Sequence, residues 1–178
     1  MRARATAAAF AGAVLVAALA CRSSPTSVTT SLRGSDCGAP PPDLKARFDQ
    51  KELGVERCLG AEAWQVLVVS ADANSWIELR SPTTSWSAEH PIVYEMPIGL
   101  FPGVDDESPL EWRSDGRRGL TALLFTVSAQ DPADAETRVS RVFVARIEDG
   151  RICVIGRERT QDQARALADT DLSCAAGQ

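Results

Sequence analysis

Two pairs of cysteines, Cys37 with Cys58 and Cys153 with Cys174, each stand 21 positions apart, and a fifth, Cys21, stands near the N-terminus. What five thiols do depends on the compartment they meet. Residues Met1 to Ala20 read MRARATAAAFAGAVLVAALA: two arginines, then an apolar run from Ala7 to Ala20, with no acidic residue. That is the layout of a secretory signal peptide. The run falls short of the roughly 18 to 20 residues that cross a bilayer, so the segment predicts export rather than a permanent span. Exported cysteines meet an oxidising environment and tend to pair, and an odd number leaves one over.

Cys21 directly follows Ala18-Leu19-Ala20. This junction resembles a bacterial lipoprotein lipobox, in which that thiol receives a diacylglyceryl group and becomes the mature N-terminus, although Ala18 stands where such motifs usually carry Leu. Lipidation of Cys21 explains the odd thiol and leaves an even set of four. Ordinary cleavage after Ala20 is the alternative, with Cys21 as a plain N-terminal residue or a free thiol. Removing residues 1–20 takes away two arginines and no acid, leaving 17 basic against 24 acidic groups and a net charge of −7. A chain so charged is a poor partner for nucleic acid or anionic headgroups.

Residues 21–36 hold little that is apolar and predict a flexible tether. The membrane would then be contacted only through lipid on Cys21. Residues 37–175 predict a single globular domain.

In that domain Pro40-Pro41-Pro42 interrupts regular structure, and Asp43 is placed to cap a helix from Leu44 to Leu53, closed by Gly54. Short runs rich in Val, Ile, Trp, Phe and Thr follow: 63–70, 75–80, 92–95, 111–113, 120–128, 139–147 and 151–157. Each reads as a strand. Asp149-Gly150 between the last two is the clearest hairpin signal, because both residues tolerate positive φ. A second helix is expected from about Thr160 to Thr170, with Ala164, Leu167 and Ala168 facing the sheet. Short connections without crossover helices predict an α+β fold: an antiparallel sheet of about six to seven strands flanked by two disulfide-stapled helices.

Each cysteine pair brackets one predicted helix, so pairing Cys37 with Cys58 and Cys153 with Cys174 would staple each helix to the sheet. Each closure would contribute about 3 kcal/mol in the chain-entropy account. Four cysteines admit three connectivities, and crossed pairs such as Cys37 with Cys174 stay open at this point. Zinc is disfavoured by a single His and the lack of any C-x-x-C. No cofactor motif stands out.

Glu111-Trp112-Arg113, the strand into Cys153, and the helix Gln161-Asp162-Gln163-Ala164-Arg165-Ala166-Leu167-Ala168-Asp169 before Cys174 together resemble a family of small, exported, uncharacterised proteobacterial proteins. There, a cysteine-bearing strand precedes an N/Q-x-x-A-x-x-L-A-D-like helix and a closing cysteine. The resemblance covers residues 55–174. Members often place His directly after the strand cysteine, where this chain has Val154. The motifs are structural, and the resemblance implies no catalytic activity.

His90, in Ser87-Ala88-Glu89-His90, is the only imidazole and would be the acid/base of a hydrolase, yet no G-x-S-x-G turn accompanies it. Asp105-Asp106-Glu107 forms an acidic patch in a Pro/Gly-rich loop from Met96 to Pro109 without the alternating ligands of a Ca²⁺ loop, which makes partner contact its more natural use. Trp76 shares a strand face with Glu78 and Arg80, and Glu111 and Arg113 repeat that charged pattern around Trp112. A tryptophan on a polar face can stack on a sugar or anchor a partner, so Trp76 and Trp112, with Asp105 and Asp106, are the expected partner surface. The sequence thus predicts a cell-envelope lipoprotein acting as a non-enzymatic binding or structural module. The alternatives are an envelope hydrolase using His90 and a module that binds glycan or peptidoglycan.

Overall fold

The computed structural model describes residues 25–116 and 119–174; the signal segment and Cys21 lie outside them. The expected single sheet flanked by two helices is not what forms. Strand accounts for 50% of the structure and helix for 18%, and the strands divide into two sheets. All pairings are antiparallel.

The smaller sheet runs in the order β2 (Gly54–Leu59), β3 (Gln65–Ala71), β4 (Asn74–Arg80), β5 (Ser85–Ser87). The larger runs β1 (Thr26–Thr30), β7 (Leu110–Ser114), β8 (Leu120–Asp131), β9 (Asp134–Glu148), β10 (Arg151–Glu158), with β6 (Leu100–Val104) also pairing with β8. One apolar cluster takes Val66, Ile77 and Leu79 from the smaller sheet and Trp112, Leu123, Phe125 and Phe143 from the larger. The sheets therefore share a core, which a single sheet with helices on it would not have.

Several strands went unread for a common reason: they lack the apolar alternation that marks a half-buried strand. β1 is TSVTT, exposed over most of its length, and replaces part of the expected tether. Its hold comes from β7, with Thr26 opposite Ser114 and Thr30 opposite Leu110, and from its own hydroxyls. Trp112 Nε1 donates to Thr30 Oγ1 at 2.9 Å. Beyond it Leu32 is buried, so the domain begins well before Cys37. β2 contains Glu56 and Arg57, and β6 contains Pro102 and Gly103. Residues 92–95, expected as a strand, lie instead in a π-helical turn, His90–Glu95. Pro91 in its first turn is already set to helical φ and has no N–H to offer a ladder.

The first helix, α1, is Pro42–Asp49, shorter than predicted and led by Pro41 rather than capped by Asp43. Leu44 and Phe48 form its buried stripe, as the i, i+4 spacing predicts. The second, α2, is Gln161–Ala168, with Thr160 Oγ1 accepting from the N–H of Gln163. Its Ala164 and Ala168 pack on Ala122, Leu124, Val142 and Val144, the face of the larger sheet opposite the shared core.

Cys37 is bonded to Cys58 and Cys153 to Cys174, the uncrossed connectivity. Each bond closes a loop that contains one helix. Such bonds fit an oxidising, non-cytoplasmic location. Among the described residues no helix is long and apolar enough to cross a membrane.

Candidate functional site

The charged face of β7 is not a surface. Glu111 is 3% exposed and Arg113 8% exposed, because α2 lies over them. Glu111 Oε1 accepts from Ser27 Oγ at 2.6 Å and from Arg165 Nε at 3.0 Å. Its Oε2 accepts from Gln161 Nε2 at 2.7 Å and from Arg165 Nε at 2.9 Å. Arg113 places Nη2 between the two oxygens of Asp169 at 2.8 and 2.6 Å, while its Nη1 donates to Ser27 Oγ at 2.6 Å. Burial raises the Glu111 pKa. The bonds from Ser27, Gln161 and Arg165, and the Arg165 charge, outweigh it and hold the carboxyl below its ordinary value of 4.5. With its lone pairs occupied, Glu111 is suited to latching α2 and β1 onto β7 rather than to moving protons. The alternation of Glu111 and Arg113 reads as a polar face, and the helix that covers it is not visible in the strand pattern.

The tryptophans offer no stacking surface. Trp76 is 2% exposed and Trp112 fully buried, so neither can receive a sugar or a partner. The face Trp76 shares with Glu78 and Arg80 is covered near α1, where the Arg80 guanidinium lies 5.7 Å from the centre of the Phe48 ring. Strand parity placed these residues on one face correctly but could not reveal what would cover it.

His90 is exposed. Its Nδ1 lies 3.1 Å from Glu95 Oε1 and its ring neighbours that of Tyr94. Ser87 Oγ, the nearest nucleophile in sequence, accepts from the backbone N–H of Glu89 instead. Among the described residues no hydroxyl is hydrogen-bonded to His90, whose one polar contact is with Glu95.

Asp105 and Asp106 do line a groove, of about 560 Å³, together with Ser75, Phe101, Gln130 and Arg138 among others. That volume is within the roughly 300 to 1,000 Å³ of small-ligand clefts. The Asp105 carboxylate is committed to its own turn, accepting from Glu107 N–H and Ser108 Oγ. The Asp106 and Arg138 side chains make no hydrogen bond or ion pair with another described residue.

Phe101 is the residue that the sequence reading missed. It has φ 51°, a left-handed conformation that a bulky side chain rarely takes and that a following proline disfavours further. Packing does not repay this, because the side chain stands 56% exposed with Leu100 beside it at 48%. The chain is packed closely on both sides of it. At Gly99 a Cβ would lie 2.3 Å from the carbonyl oxygen of Gln130, and at Gly103 it would lie 3.0 Å from Ser75 Oγ. Pro102 between them is buried. The ladder to β8 jumps from Leu100–Gln130 to Gly103–Ser128, so Phe101 and Pro102 form a bulge, a device that re-aims side chains. The signal was present in Gly99-Leu100-Phe101-Pro102-Gly103: two large apolar residues held between glycines.

The chain matches no family model, no curated protein and no solved structure, so the functional reading rests on its own geometry.

Proposed function

We infer that this protein is an exported, lipid-anchored binding module of the cell envelope, held by Cys21 and meeting its partner at the groove beside Phe101. The observation that carries the reading is the placement of two features at opposite ends of β8. Thr26, where the chain arrives from Cys21, is opposite Ser114, which is itself opposite Leu120 at the start of β8. The groove lies at Ser128 and Gln130, so the eight steps from Leu120 to Ser128 alone separate the two ends by roughly 27 Å. The five steps from Cys21 to Thr26 reach at most about 18 Å. Lipid on Cys21 would therefore hold the Thr26 end close to the bilayer and turn the groove away from it. The two disulfides support export.

Two measurements test this in intact cells. Labelled palmitate should enter the protein and be lost in Cys21→Ser, and an unlabelled parent protein would remove the anchor. A photocrosslinking residue in place of Phe101 should yield an adduct with an envelope component. The same residue in place of Leu172, which lines a groove with Leu120 and Thr121 at the other end, should not. Silence at position 101 would remove the binding site.

A further inference from the structure

We propose that the Phe101 groove is a saccharide-binding site, taking an uncharged sugar ring of an envelope glycan. The proposal rests on the binding-module reading above and names its ligand class. Its starting point is the strain at Phe101. A left-handed conformation before proline persists only where the surroundings hold it, and here, between the close-packed Gly99 and Gly103, it leaves an aromatic ring in water. An exposed ring at the groove offers a flat apolar face, which is what the C–H face of a pyranose requires.

The rest of the groove suits hydroxyl groups. Beside Phe101 stand a carboxylate from Asp106 and a guanidinium from Arg138, both without partners among the described residues, and the amide of Gln130. Gln130 commits its Nε2 to the carbonyl of Ala135, which leaves its oxygen as an acceptor. Carboxylate, guanidinium and amide are planar groups that can bridge neighbouring hydroxyls, and the carboxylates of Asp105 and Asp106 against the single guanidinium of Arg138 give an anionic ligand no advantage.

An extended peptide is the natural competitor, because β6 could accept an added strand. The structure argues against it. The N–H of Val104, which an added strand would need, already donates to Ser75 Oγ at 2.9 Å, and β6 pairs with β8 on its other side. A dry apolar anchor pocket is absent among the lining residues, which are mostly polar.

The test uses the full processed protein purified from membranes, with two probes: isolated peptidoglycan sacculi in co-sedimentation and tetra-N-acetylchitotetraose in calorimetry. We expect saturable binding to at least one. Phe101→Ala should weaken it by tenfold or more without lowering the melting temperature, and Phe101→Trp should restore it. Asp106→Asn and Arg138→Gln should each weaken it severalfold. Parent protein that binds neither probe, or a Phe101→Ala variant that binds as well as the parent, overturns the saccharide assignment. The crosslink from position 101 separates the two levels of the reading. An adduct with a protein alone refutes the sugar and keeps the module, whereas no adduct of any kind refutes both.

Discussion

Ser27 and Glu111, 84 positions apart, are joined by a 2.6 Å hydrogen bond in which the hydroxyl donates to the carboxylate. The same hydroxyl accepts from Arg113. One side chain on an otherwise exposed strand therefore ties β1 to the charged cluster beneath α2. Hydrogen bonds to charged groups contribute about 1.5 to 3 kcal/mol, so Ser27→Ala should cost about 2 kcal/mol in urea unfolding. Val28→Thr, on the same strand but 56% exposed, should change stability by less than about 0.5 kcal/mol. Equal effects of the two would mean that the bond does not hold β1.

The depressed pKa of Glu111 makes stability depend on acid in a defined direction. A carboxyl whose folded pKa lies below its unfolded value stabilises above the latter, and that contribution fades as pH falls through the folded pKa. Stability should therefore hold above pH 4.5, the ordinary value for this group, and decline below it. Glu111→Gln should flatten that decline while lowering stability at neutral pH. Removing one partner of a buried ion pair costs about 3 to 5 kcal/mol, and the exposure of Arg165 places Glu111→Ala at the lower end, about 3 kcal/mol. An acid limb identical in parent and Glu111→Gln would refute the assignment.

The disulfides should contribute comparably, because their loops are the same length. Replacing Cys58 or Cys174 by serine should each cost about 3 kcal/mol in the chain-entropy account. Hydrogen exchange should distinguish the two. Loss of the Cys153–Cys174 bond should expose the amides of α2 first, since its Ala164 and Ala168 stripe is small. Protection in α2 that survives Cys174→Ser would show that the charged latch is sufficient.

Phe101 carries an unusual stability prediction. Phe101→Gly should raise stability by about 1 kcal/mol, because glycine accepts φ 51° and little packing is lost. A gain in stability with a loss of binding marks a position held for function. A destabilised variant would mean that the ring packs in a way that its exposure hides.

The parts of this fold that could be read in the sequence are those whose signal is local. The Asp149-Gly150 turn between β9 and β10 has both residues at positive φ, 44° and 78°, as the pair of residue types predicted. Thr160 caps α2, and the cysteine spacing matched the bonds. What could not be read depends on distant partners. β1 is held by hydroxyls whose acceptor and donor lie on β7, and the division into two sheets follows from pairings that composition does not encode. Trp76 shared a charged face with Glu78 and Arg80 by parity and is nonetheless buried, and Trp112, on the face opposite Glu111 and Arg113, lies in the core between the sheets; a strand pattern does not show what will cover either face. The acidic loop was singled out as a place of contact. Within its wider Met96–Pro109 span, the strained phenylalanine was overlooked because the strain exists only once Gly99 and Gly103 are packed.

Export and anchoring underlie everything proposed for this chain, and the intact mass of the protein isolated from its own cells tests both at once. The account predicts a species that begins at Cys21, carries added acyl mass, and lacks the four hydrogens of the thiols at positions 37, 58, 153 and 174. A full-length, unacylated chain with those thiols reduced would contradict it.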